Sequence, residues 1–237
     1  MKKSILGILT FLLSITCHAQ TNQKPYSFKS AYIEYSIEGN TIGKQVVYID
    51  DWGWNRSETT QSVTKMLGQK TETNERKVTV KLDTYQWTPG QKTGSKVHNT
   101  MLEEMLADPN FDMLEFSKKT MESLGFEKTG TETVNGKSCD IWKGLGSIIW
   151  LWNDIAVKTQ VKIFGAKYVM NASKIELDAS IPSDEFQIPP DIKFTETSLD
   201  PAQMIVTPSQ KNDDSENDQE IKNLKDLKGL LKKLKNE

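Results

Sequence analysis

Apolar and polar positions alternate cleanly at two places in this chain. Ala31, Ile33, Tyr35 and Ile37 share one face of an extended segment; Val157, Thr159, Val161 and Ile163 share another, with Lys158, Gln160 and Lys162 opposite. Both patterns predict strands with one wet face. The densest apolar stretch spans residues 131–182 and reads as consecutive antiparallel strands, so the core is expected there. Within it, Asn135-Gly136 separates TETV from SCDIW, and Asn-Gly tolerates the positive φ angles of a two-residue type I′ hairpin. Residues 147–152, SIIWLW, are apolar at all but the first position and predict a strand covered on both sides.

Upstream, residues 44–50 (KQVVYID) return along the first strand, and residues 54–66 and 69–84 predict a long polar ribbon hinged at Leu67-Gly68. Such a ribbon buries little and leans on its neighbours. The period then changes. Thr100 followed by Glu103 has capping-box spacing, and Met101, Leu102, Met105 and Leu106 fall at helical intervals. Residues 111–124 predict a second helix, with Leu114, Met121 and Leu124 on one stripe and Gly125 ending it. Helices between two runs of strands give an α+β fold, with the helices packed on one face or in the mouth of the sheet. Residues 191–195 predict a short edge segment.

The ends differ from this body. Residues 1–19 carry Lys2, Lys3, an apolar run and small residues before Gln20, the pattern of a signal peptide cleaved near Ala19. Ser14-Ile15-Thr16 makes a poor lipobox for acylating Cys17. The expected location is the periplasm or another exported envelope compartment. At the other end, NDDSENDQE within residues 198–220 predicts a disordered acidic linker. Residues 221–237 predict a basic amphipathic helix: Leu224, Leu227, Leu231 and Leu234 recur at heptad-like spacing, with Lys228 and Lys232 among the basic positions. That helix is expected to contact a membrane surface or a protein partner, to fold back on its own domain, or to solubilise the tail. The body between, residues 20–197, is expected to form one domain around one core.

Composition narrows the chemistry. The 30 basic residues less the two leader lysines leave 28 against 32 acidic, a net of about −4, so nucleic acid is not an expected partner. After the leader only Cys139 remains, which cannot form an internal disulfide and reads as a small buried hydrophobe. His98 is the one histidine beyond the leader, without the spaced ligands of a metal site. No GxSxG, Walker loop or GxGxxG occurs, so neither enzyme chemistry nor a cofactor is expected. Met101, Met105, Met113 and Met121 suit either an irregular core or an adaptable apolar ligand surface. Trp150 and Trp152 divide the same way, between core and ligand lining.

The paired strands YIEYSIEG and GKQVVYIDDWGWNRSET, the central helical insert, the VNGKSCDIWKG hairpin and the closing SKIELDASIPSDEFQIP segment together resemble the lipoprotein carrier (LolA/LolB-like) superfamily, closest to an uncharacterised exported branch. The resemblance spans residues 28–194. It implies a curved, half-open antiparallel β-barrel, with helices in its concave face, able to hold acyl chains. It also implies a lid-stabilising role for Arg56 in WNRSE. The polar ribbon and the basic C-terminal helix depart from that pattern. The expected function is non-enzymatic binding of a lipid, acyl chain or acylated protein in a groove lined by Met101, Met105, Met113, Phe116, Trp150 and Trp152. The alternative is an interaction or scaffold protein with a packed interior, tethered through its Lys-rich tail.

Overall fold

The alternation at the start of the chain becomes burial in β1 (Ala31–Gly39), where Ala31, Ile33, Tyr35 and Ile37 are buried and the residues between them are half-buried. A computed structural model describes residues 23–198 apart from residues 67 and 164–165. The expected signal peptide with Cys17, the acidic linker from residue 199 onward and the basic helix with Leu224, Leu227, Lys228, Leu231, Lys232 and Leu234 lie outside the described residues.

β1 is the middle of a 12-stranded sheet. On one side follow β2 (Thr41–Asp50), β3 (Asn55–Met66), β4 (Gln69–Val80), β5 (Asp83–Trp87) and β6 (Thr93–His98), each antiparallel to the one before. The helices α1 (Thr100–Leu106) and α2 (Met113–Ser123) then carry the chain to the far end of the sheet. It returns inward through β7 (Glu127–Val134), β8 (Lys137–Gly144), β9 (Ser147–Trp152), β10 (Ile155–Ile163) and β11 (Ala166–Leu177), which pairs with β1. Finally β12 (Lys193–Ser198) adds to the opposite edge, parallel to β6. Among the described residues the end strands β7 and β12 are not paired with each other, so the sheet is open; the halves join through the β1–β11 pairing, and the chain crosses between them at the helix pair and again in residues 178–192.

The turns follow local chemistry. Asn135 and Gly136 have φ of +50° and +74°, the type I′ geometry expected of that dipeptide. Gly43 lies so close to β3 that a Cβ there would sit 2.2 Å from the Gln61 carbonyl oxygen, which fixes glycine at that position. The helix starts differ from expectation by one or two residues. Asn99, rather than Thr100, caps α1, its side chain accepting from the Leu102 amide at 3.0 Å; asparagine outranks threonine as a cap. Asp112 caps α2 in the same way through the Glu115 amide. The polar stretch at residues 69–84 divides at Lys81, whose φ of +55° turns the chain into β5. In β9 only Trp150 is fully buried, so SIIWLW is less covered than its composition predicts.

The main apolar cluster joins both halves: Phe28, Ile33, Tyr35, Val47 and Ile49 from the first with Cys139, Trp150, Ile155, Val157 and Ala172 from the second. Full burial of each aliphatic side chain contributes about 1.5–3 kcal/mol. Because the cluster draws on strands far apart in sequence, the core is shared across β1 and β11 rather than confined to residues 131–182.

Candidate ligand-binding site

Strand register places a set of unlike side chains together on one face of the first half. Gln45, Val47 and Ile49 alternate along β2; β3 sets Thr60, Glu58 and Arg56 opposite them, and β4 sets Lys77 opposite Glu58. Arg56 Nε donates to Glu58 Oε1 at 2.9 Å, and Lys77 Nζ lies 3.1 Å from the same oxygen. Gln45 Nε2 donates to the other carboxylate oxygen at 3.3 Å and to Thr60 Oγ1 at 3.0 Å. Burial pushes the Glu58 carboxyl up, but Arg56 and Lys77 outweigh it and hold the carboxyl below its ordinary range. For Arg56, burial acts to lower the pKa, and Tyr26, Glu58 and Tyr35 reverse this and raise it.

The N-terminal segment closes over that network. Arg56 Nη1 donates to the Tyr26 hydroxyl at 2.9 Å. Tyr26 is positioned by its own amide, which donates to the Trp52 carbonyl at 3.0 Å, while the Trp52 amide donates to the Lys29 carbonyl at 2.9 Å. To make these bonds the chain holds Asp51 and Trp52 at φ of +51° and +60°, left-handed values that cost free energy outside glycine. Lys24 Nζ sits 3.7 Å from the centre of the Trp52 ring. Gly53 is required next to them, because a Cβ would lie 2.4 Å from the Tyr26 ring.

Between this polar end and the second half lies a cavity of about 230 Å³. A single water needs only about 10–15 Å³ on the same kind of measure, so the space suits part of a larger ligand. Its apolar wall is Ile33, Ile49, Ile149, Leu151, Ile155 and Met170; its polar wall is Tyr26, Tyr35, Gln45, Arg56 and Thr159, with Asp154 on an exposed turn. Asn153 and Asp154 both have positive φ, the two-residue turn that joins β9 to β10. Burial pushes the Asp154 carboxyl up. Register breaks in β10 between Ala156 and Lys158, and in β1 between Glu34 and Tyr35, fall beside the cavity, where such irregularities bend a sheet.

The residues singled out from sequence are placed as follows. Arg56 lines the cavity and holds Tyr26. Met101 and Met105 are half-buried on α1; on α2, Met113 is buried and Phe116 half-buried, its ring 5.4 Å from that of Phe111. Trp150 is buried in the core cluster, donating from Nε1 to Glu132 Oε2 at 2.7 Å, and Trp152 packs against that cluster with Lys137 Nζ 3.9 Å from its ring centre. The cavity is walled by none of these six. The polar end had a sequence signal of its own: Gln45 interrupts an apolar face, and Arg56 stands two residues from its partner Glu58 on one face of a strand.

Elsewhere the chemistry is sparse. Among the described residues no group of His, Cys, Asp and Glu is arranged to hold a metal ion. Cys139 is fully buried, which pushes its thiol up and away from thiolate reactivity. No helix among the described residues is long and apolar enough to cross a membrane.

No family model matches the chain, and no curated protein does. Solved structures do. An uncharacterised conserved protein from Thermus thermophilus is similar with a TM-score of 0.49 and 5% identity, over 74% of this chain and 95% of its own. MucB, from the Pseudomonas aeruginosa MucA/MucB complex, is similar with a TM-score of 0.42 and 13% identity over 73% of this chain, which spans 60% of that one. A domain of an outer membrane lipoprotein-sorting protein from Vibrio parahaemolyticus is similar with a TM-score of 0.28 and 12% identity, over 71% of this chain and 94% of its own.

Proposed function

We propose that this chain is a non-enzymatic exported envelope protein that binds the acyl portion of a lipid or acylated protein in the cavity between its two half-sheets. The observation that supports this reading is the cavity's composition: an aliphatic wall contributed by both halves, ending at the Arg56–Tyr26 pair. An apolar chain buried there gains about 0.8 kcal/mol per CH₂, enough for useful affinity from a short segment. The Met-rich helices bridge the two ends of the sheet and are proposed to border the entrance.

Native mass spectrometry of the protein purified from its own compartment is expected to show a stoichiometric lipid-sized adduct. Ile149→Trp, which fills the cavity, is expected to abolish the adduct while the far-ultraviolet circular dichroism stays that of the wild type. A bare mass that gains nothing on challenge with acyl ligands sinks this reading and favours an interaction protein with a closed interior.

A further inference from the structure

Tyr35 is 6% exposed and lines the cavity, yet its hydroxyl has no hydrogen-bond partner in the described chain. Two of its neighbours in the polar wall are tied to the strands: the Tyr26 hydroxyl accepts from Arg56, and Gln45 donates to Glu58 and Thr60. A phenol that opens on the cavity can donate to a ligand held there, and burial pushes its pKa up, so it stays a neutral donor. Arg56 uses Nε for Glu58 and Nη1 for Tyr26, and a guanidinium has five N–H groups, so donor capacity remains there too.

The charges around these donors are balanced. Arg56 and Lys77 share Glu58, and the cavity also carries the carboxyl of Asp154. Arg56, the cation among the lining residues, is already paired with Glu58, so its charge is committed, and a buried anion needs a partner when it leaves water. A neutral acceptor meets the same donors without that demand.

We infer that the cavity is built to recognise a neutral carbonyl oxygen, the ester or amide of an acylated ligand, through the Tyr35 hydroxyl, in preference to the carboxylate of a free fatty acid. This rests on the acyl-binding reading above and adds its ligand class. The test is displacement of a neutral fluorescent naphthylamine probe by methyl octanoate, octanoate and octane at neutral pH, with wild type and Tyr35→Phe. Methyl octanoate is expected to compete best against wild type. In Tyr35→Phe its advantage over octane is expected to fall about threefold to tenfold, the worth of one net hydrogen bond. Because the hydroxyl has no hydrogen-bond partner among the described residues, Tyr35→Phe is expected to melt no lower than wild type, which separates ligand recognition from a structural role. Octanoate competing better than its ester, or an ester-to-octane ratio indifferent to Tyr35→Phe, overturns the inference. Failure of the probe and of all three ligands to bind removes the acyl-binding reading itself, and this inference with it.

Discussion

Glu58 shows how much one carboxylate on a strand can organise: it joins β2, β3 and β4 through Gln45, Arg56 and Lys77. Its pKa is depressed in the fold, so its contribution to stability is present above the ordinary value of about 4.5 and is lost as pH falls through the lower folded value. Glu58→Gln is therefore expected to shrink the acid-induced loss of stability below about pH 4.5, and to lower stability at pH 7 by about 1–2 kcal/mol in denaturant titrations. That cost is below that of breaking a fully buried pair, because Arg56 keeps 32% of its side-chain surface exposed. At this scale the sequence was partly legible. A lone cysteine among apolar strand residues reads correctly as a core hydrophobe, and Cys139 is one. Arg56 was singled out only through a family resemblance. Tyr26 was invisible, because its role depends on a turn at Asp51-Trp52-Gly53 that bends it back onto β3, and no periodicity encodes that.

Between elements, His98 at the end of β6 is the clearest tie from the sheet to α1. Its Nδ1 lies 2.8 Å from Asp83 Oδ1 on β5, and its Nε2 lies 3.2 Å from Glu103 Oε2 on α1; Lys96, 3.6 Å from Asp83, is the nearby cation. Only the imidazolium donates from both nitrogens, and the hydrogen bonds to Asp83 and Glu103 raise its pKa above 6.5. The tie is thus fully present below about pH 6.5 and lost as pH rises through the raised value. Hydrogen exchange of α1 amides, corrected for intrinsic rates, is expected to accelerate on going from pH 6 to pH 8.5 in wild type. In His98→Gln that pH dependence should vanish, and its persistence would show that His98 does not hold the helix. Elements themselves were the most legible level. β1 and the hairpin at Asn135-Gly136 followed from period and turn chemistry, which act over a few residues. Helix starts slipped because Asn99 and Thr100 compete for one cap.

The whole molecule depends on pairings that sequence patterns do not carry. That β1 sits between β2 and β11, and that β12 returns to lie parallel to β6, brings together residues about as far apart as Lys193 and Thr93. β12 is fastened by more than its ladder: the Phe194 ring meets Tyr85 and Trp87 edge-on at 5.2 and 5.9 Å, and Lys92 pairs with Asp191 just before the strand. Phe194→Ala is expected to lower global stability by about 1–3 kcal/mol, read from the denaturant midpoint at unaltered slope; a shift near zero would mean that β12 frays independently of the core. Seen as a mechanical joint, this edge has a direction. Any load applied beyond Ser198 reaches the sheet through six residues that, among the described residues, are bonded on one side only. A pull along the strand axis strains their slanted bonds together, as in a lap joint, whereas a pull across it opens them one after another. The angle at which a tether leaves Ser198 therefore sets how much tension the sheet withstands.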